Sequence, residues 1–265
     1  MSQGFDVYLH RQSWLHRLDP RAKLWAALAA GAAALLFQQL VVLAGLLILV
    51  HLALLSAQVP AGRLRWLWAR LAPLLVVILL LQPLFAPGPG PALLQLGPVR
   101  LTAEGILVGL SFALRAAVLT FLSAALLLTT RPADLVQGLV ALGLPYSWGL
   151  MVGLSMRYLT TISRLFLTVR EAQQARGLVL DRGNPFQRAR AYVPILVATI
   201  IAALRLGDNL GLALAARGLG YPAQRTTLHG LHFGRRDWLV VILAGAAFLG
   251  GLILRFGYGF GRVPW

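Results

Sequence analysis

Along its length the chain alternates long apolar runs with short polar, basic or Pro-Gly segments. The first run, Leu24 to Ala57, is 34 residues long and is broken by Gln38-Gln39. A membrane-spanning helix needs about 20 residues, within a range of about 17–25. The run therefore predicts two short helices joined by a tight turn at the glutamines. Arg63, Arg65 and Arg70 then surround Trp66 and Trp68, a mixture suited to a membrane interface. Leu71 to Phe85 predicts a third span, kinked or started by Pro73. The Pro and Gly of "APGPGPALLQLGPVR" predict a loop. A fourth span is expected from Glu104 to Thr130 and a fifth from Trp238 to Leu254. The last run reads either as one tilted span or as two short elements.

Residues 131–236 follow a different pattern, because Arg recurs every few positions among the apolar residues. Arg157, Thr160, Thr161, Arg164, Thr168, Glu171 and Gln174 recur at three- or four-residue steps and share a helix face. Leu159, Ile162, Phe166 and Val169 lie away from that stripe, as in an amphipathic helix. Pro132 suits the first turn of a helix that ends at Gly143, before Pro145. A long helix is expected from Tyr146 to Arg176 and another from Phe186 to Arg217, bent near Pro194. The alternative makes Leu144–Val169 and Ala191–Ala215 two further spans. Arg157, Arg164, Arg205 and Asp208 weigh against it, since each mid-span charge costs at least about 2.5–3.5 kcal/mol on the insertion scale.

Composition sharpens the class. The 265 residues are 58% hydrophobic and only 12% charged, with a mean hydropathy of +0.76. Soluble domains average roughly 45–50% apolar and about 25% charged. The expected fold is an all-α membrane protein with about five transmembrane helices. Its divisions are an N-terminal membrane region (1–130), long cytoplasmic amphipathic helices (131–236) and a C-terminal span with its tail (237–265). The first 23 residues do not read as a cleavable signal peptide, for they are polar and broken by "LDP".

A formal net charge of +16 would suggest nucleic acid in a soluble protein. Here membrane topology accounts for it, and no nucleic-acid partner is expected. Segments 1–23, 58–70 and 131–236 hold 20 of the 24 Lys and Arg residues. The positive-inside rule then puts the N-terminus and residues 131–236 in the cytoplasm and the C-terminus outside. Arg115, inside the fourth span, needs a partner or an aqueous neighbour.

The candidate chemistry is sparse. There is no Cys, and the single lysine, Lys23, lies outside any glycine-rich loop, so a P-loop is excluded. The eight acids are scattered and none forms a metal-ligand spacing with His, which argues against an intramembrane enzyme. His229 and His232 are only two ligands, and they, His10 and His16 read as interfacial rather than metal-binding. A self-sufficient secondary transporter would predict inverted repeats. The only repeat found is short: Ala175-Arg176-Gly177-Leu178 returns as Ala216-Arg217-Gly218-Leu219. Each copy has the form of a helix stop, with Arg complementing the dipole and Gly free to turn left-handed.

Three motifs resemble a known family. "LHRLDPRAKL" (15–24) resembles the Asp-Pro-Arg-x-Lys signature of the transmembrane coupling (T) component of energy-coupling factor transporters. "TTRPADLVQGLVALGLP" (129–145) is similar to that family's Thr-Thr-x-Pro…Leu-Pro segment, and the paired Ala-Arg-Gly motifs resemble its coupling-helix signature. Arg157 and the Arg205–Asp208 stretch match further positions, although Leu206 and Gly207 separate that pair. The match spans about residues 15–225. These transporters are ABC-type importers of vitamins and transition-metal ions in the prokaryotic cytoplasmic (inner) membrane. The resemblance implies that two cytoplasmic ATPases bind Ala175, Arg176 and Gly177 and Ala216, Arg217 and Gly218. It also implies a separate membrane-embedded S component that binds the substrate. The chain itself would need no cofactor, the ATP being bound by its partners. Asp19, Pro20, Arg21, Pro132, Pro145, Arg157 and Asp208 would serve structure or coupling. Asp19 and Pro20 also read simply as an N-cap and a first-turn proline, with Arg21 an interfacial anchor.

Overall fold

The computed structural model describes residues 9, 11, 13–85, 92–96, 99–180, 184–220 and 233–258. The chain forms two compact units, one of Met1–Leu144 with Leu231–Trp265 and one of Pro145–Gly230. His10, His229 and His232 lie outside the described residues.

In the first unit, α1 (Pro20–Leu36) and α2 (Leu40–Ser56) divide the first apolar run at Gln38-Gln39 as the pattern predicts. Next, α3 (Ala61–Phe85) begins ten residues before the expected third span and carries Pro73 and Pro83 within it. Pro73 therefore does not start this helix, and Arg63, Arg65 and Arg70 are helical. In apolar surroundings neighbouring groups re-satisfy the backbone that an internal proline frees. The expected loop also differs. Residues Ala92–Leu96 (β1) and Val99–Thr102 (β2) pair antiparallel, with Gln95 opposite Arg100 and an irregularity between Ala92 and Leu94. Pro and Gly lie beside and between these strands in sequence and do not forbid their pairing.

The Thr102 side chain caps α4 (Ala103–Thr129) by accepting from Gly105 N at 3.1 Å. A short α5 (Pro132–Ala141) follows, and α9 (Arg235–Tyr258) completes the unit. Its core lies among α2, α3 and α4, where Val50, Leu54, Leu64, Leu71, Ala117 and Phe121 are buried together. His51 joins these helices. Trp68 Nε1–H donates to His51 Nε2 at 3.2 Å, and His51 Nδ1 lies 2.9 Å from Leu47 O. Because the indole is only a donor, Nε2 accepts and Nδ1 carries the proton. Phe121 packs on both rings, at centroid distances of 4.4 and 4.8 Å.

Arg115 acquires its partner here. Its Nε donates to Ala34 O at 2.8 Å and its Nη2 to Phe37 O at 3.1 Å. These carbonyls end the 17-residue α1, where the helix leaves its last acceptors unsatisfied. The guanidinium of α4 thus closes the turn between two short helices.

The segment before α1 crosses the ends of α2 and α4. Leu9 N donates to Leu128 O at 3.1 Å and Trp14 Nε1 to Ser56 Oγ at 3.1 Å. The half-buried His16 sits in this strap, with Nδ1 2.8 Å from Ser13 Oγ. Burial, then the charge of Lys23, holds its imidazole below the ordinary 6.5, against the opposing pull of the Leu9 and Leu128 backbone.

The second unit contains α6 (Tyr146–Ala175), α7 (Pro185–Ala191) and α8 (Val193–Ala216). The break at Tyr192 falls where Pro194 predicts a bend. Helices α6 and α8 pack on each other. Among the described residues, four helical stretches are long and apolar enough to cross a membrane by length and composition: α3, α4, α9 and Pro185–Ala216. The last was expected from its Arg and Asp residues to be a cytoplasmic amphipathic helix. By this measure alone it also has the length of a span. Helix α2 is apolar but shorter.

Two outcomes follow from these contacts. Arg115→Leu leaves the Ala34 and Phe37 carbonyls without their charged donor and lowers unfolding stability in detergent by about 2–4 kcal/mol, while Arg115→Lys recovers part of the loss. For His16, the native state binds a proton less readily than the unfolded chain does. Its stabilising effect is complete above about pH 6.5 and is lost as pH falls below it. His16→Gln therefore flattens the decline in melting temperature between about pH 6.5 and 5.

Candidate functional site

Two of the sequence motifs meet in the first unit. Asp19 caps α1, its Oδ1 accepting from Arg21 N at 2.8 Å, and Pro20 occupies the first turn. The backbone N–H of Asp19 donates to Asp237 Oδ1 at 2.8 Å, and the other oxygen of Asp237 accepts from Gly234 N at 2.8 Å. One carboxylate thus caps α9 and holds the start of α1 beside it. Lys23 Nζ donates to Thr129 O at 3.0 Å and to Thr130 Oγ1 at 3.1 Å. It thereby joins the "LDPRAKL" segment to the first residues of "TTRP".

Helix α5 closes over this junction. A Cβ added at Gly138 would lie 3.2 Å from Pro20 Cβ and 3.3 Å from Leu24 Cδ1, so glycine allows α5 to approach α1. Pro132 opens α5 at its first turn, as expected. Asp19, Lys23, Thr129, Thr130 and Asp237 are all buried. The carboxylates of Asp134, Asp237 and Asp19 bear on Lys23 through charge. Arg21 Nε lies 4.0 Å from Asp19 Oδ1 in an ion pair. Asp19 Oδ2 is buried without a hydrogen-bond partner.

Lys23, Asp237 and the two threonines are the members of this junction that the candidate residues omitted. Lys23 and the threonines lie within the quoted motifs. Asp237 carries a weaker signal, an acid at the start of the final apolar run.

In the second unit, Pro145 is the N-cap of α6 and Arg176 its C-cap. Gly177 follows with φ +91°. Leu178 N donates to Gln173 O at 3.0 Å and Gly177 N to Gln174 O at 2.9 Å. This pair of bonds is a Schellman cap. Helix α8 ends identically. Arg217 is its C-cap, Gly218 has φ +78°, Leu219 N donates to Leu214 O and Gly218 N to Ala215 O, both at 2.9 Å. The repeated tetrapeptide is therefore one structure made twice. A third cap of this type ends α5 at Leu142-Gly143-Leu144.

Each cap leaves its arginine at the negative end of a helix, where a cation is favoured. Arg176 and Arg217 are exposed, and neither guanidinium has a partner among the described residues. Ala175, Gly177, Ala216 and Gly218 are exposed around them and present little side-chain bulk. Arg157 and Asp208, on α6 and α8, are also exposed and form no ion pair with each other. No cluster of His, Cys, Asp and Glu capable of holding a metal occurs among the described residues.

Much of this unit's apolar surface is uncovered. Trp148, Met151, Met156, Ile200, Leu204 and Leu212 are exposed, and Leu212 retains 71% of its surface. Contiguous exposed apolar surface of this kind marks a face that meets lipid or protein.

Comparison with known proteins places this architecture. Residues 11–228 match the model of the CbiQ family, described as cobalt transport protein. The energy-coupling factor transporter transmembrane protein EcfT of Acidaminococcus fermentans is 31% identical over 259 residues, covering 94% of this chain and 96% of that one. The proteins of the same name from Listeria innocua and Brevibacillus brevis are each 30% identical, covering 93% and 89% of this chain and 95% and 92% of theirs. With its apolar helices and this likeness along nearly its whole length, the chain belongs to the CbiQ family and is a multi-pass transmembrane component of an energy-coupling factor transporter.

Proposed function

We propose that the chain transmits ATP-driven motion from two cytoplasmic ABC-type ATPases to a membrane-embedded S component that binds a vitamin or transition-metal ion. The observation that carries this reading is the pair of matching, exposed arginine caps on α6 and α8. Two similar motor subunits call for two similar contacts on one asymmetric chain. An arginine fits a carboxylate with two parallel hydrogen bonds, so a seated Arg176 or Arg217 transmits direction as well as attraction. The small residues on either side let a groove close around the helix end.

In this reading ATP is bound by the partners, and the chain holds no cofactor and performs no catalysis. Residues 131–236 face the cytoplasm with the N-terminus, and the C-terminus lies outside, following the distribution of Arg and Lys. Arg157 and Asp208 act in coupling along the two helices. Asp19, Pro20, Arg21 and Pro132 fix the membrane unit, and Pro145 starts α6.

The double variant Arg176→Glu/Arg217→Glu tests the docking role. It is expected to insert normally but to lose ATPase association and ATP-dependent uptake by at least about tenfold, since losing a buried charge partner costs about 3–5 kcal/mol. Unchanged co-purification and uptake in the double variant would remove the role assigned to the caps. Uptake by the reconstituted chain without ATPases would instead establish a self-sufficient transporter. For orientation, Val179→Cys is the suitable probe, because Val179 is 53% exposed beside the first cap. An impermeant thiol reagent is expected to label it from the cytoplasmic side only, and labelling from outside reverses the topology.

A further inference from the structure

A groove of about 570 Å³ lies between the first turns of α3 and the last turns of α4. Leu67, Leu119, Leu127 and Leu128 form its apolar walls. Thr120 and Ser123 also line it, but their hydroxyls donate inward to Ala116 O at 2.8 Å and Leu119 O at 2.9 Å. The lining thus makes little polar demand on an occupant. Its volume falls within the roughly 300–1,000 Å³ typical of ligand sites.

The rim has the opposite character. Arg63 borders the groove and is exposed, and its guanidinium has no hydrogen-bond or ion-pair partner among the described residues. Trp66 lies beside it, and Arg70 Cζ stands 5.1 Å from the Trp66 ring centroid. Positions 63, 66 and 70 follow one helix stripe, and the segment 58–70 contains three arginines and no acid. An occupant matching both parts has an apolar tail and an anionic head. Tryptophan and arginine at one level also mark the interface where lipid headgroups lie.

We propose that this groove holds an acyl chain of one anionic phospholipid, whose phosphate is bound by Arg63 beside the Trp66–Arg70 pair. Arginine presents a planar fork that grips phosphate oxygens two at a time. Basic pockets between membrane helices on the cytoplasmic side select anionic headgroups by this chemistry. The site is independent of the ATPase-docking role, because it uses neither arginine cap.

Native mass spectrometry of the full chain in detergent tests it, with equal amounts of phosphatidylglycerol and phosphatidylcholine added. One phosphatidylglycerol is expected to be retained about tenfold in preference to phosphatidylcholine, the ratio set by one good charged contact. Arg63→Ala should bring the ratio close to one, and Arg63→Lys should restore part of it. Ser123→Phe, at an exposed position, should fill the groove and release both lipids while the protein keeps its helicity and elution volume. Millimolar inorganic phosphate should not displace the lipid. Equal retention of the two lipids, indifference to Arg63→Ala or Ser123→Phe, or displacement by phosphate alone would each overturn the proposal. A photo-cross-linker at residue 123 that captures a membrane protein instead of lipid in the assembled transporter would also overturn it. These readouts do not involve uptake, so loss of the docking reading leaves them intact.

Discussion

A helix end in apolar surroundings is an electrostatic problem, and the membrane unit depends on how one ammonium group solves it. Lys23 Nζ takes up the carbonyl of Thr129 and the hydroxyl of Thr130 where α4 stops. The start of α1, the helix that carries Lys23, is tied through Asp19 N to the carboxylate that caps α9. Three helix termini thereby share one buried polar junction, and α5 is seated on it through Gly138. Removing one charge from such a junction leaves the others buried and uncompensated, which costs more than the lost bond itself. Toward the other end of α1, Arg115 serves its terminal carbonyls in the same way. The 17-residue helix α1 can be short because both of its ends are closed by other parts of the unit.

The legible parts of the fold were those governed by local physics. The stops at Gly143, Gly177 and Gly218 follow from the ease with which glycine takes positive φ, and each cap uses residues at most five apart. The Asp19 cap, Pro132 and the bend near Pro194 were readable for the same reason. What the sequence did not disclose was pairing across distance. Lys23 and Thr129 are separated by 106 positions, and Asp19 and Asp237 by 218. Nothing in their spacing says that they meet. The pattern misplaces the start of α3 because Pro73 resembles a helix breaker, and it hides the paired strands Ala92–Leu96 and Val99–Thr102 because Pro and Gly lie beside and between them in sequence. The Arg pair of the caps was legible as two helix stops, while their exposure required the fold.

The two units dispose of apolar side chains differently. The first buries Phe121, Leu43, Leu54 and Val118 completely among its helices. The second buries few, with Ile195 and Thr199 the buried residues of α8, and leaves long rows of Leu, Ile and Met uncovered on α6 and α8. A pair of helices with so little shared interior has weak intrinsic preference for one arrangement. Its geometry then responds to whatever covers it.

The burial of Lys23 also limits how this chain can be studied. It is the only lysine in the sequence and is 7% exposed, held against Thr129 and Thr130. Amine-directed cross-linkers therefore find no accessible lysine side chain here. A neighbourhood map built from lysine linkages would leave this chain blank even at the centre of an assembly. Contacts with it have to be recorded through its arginines, its few carboxylates or introduced cysteines, for which the native sequence, having no Cys, offers a silent background.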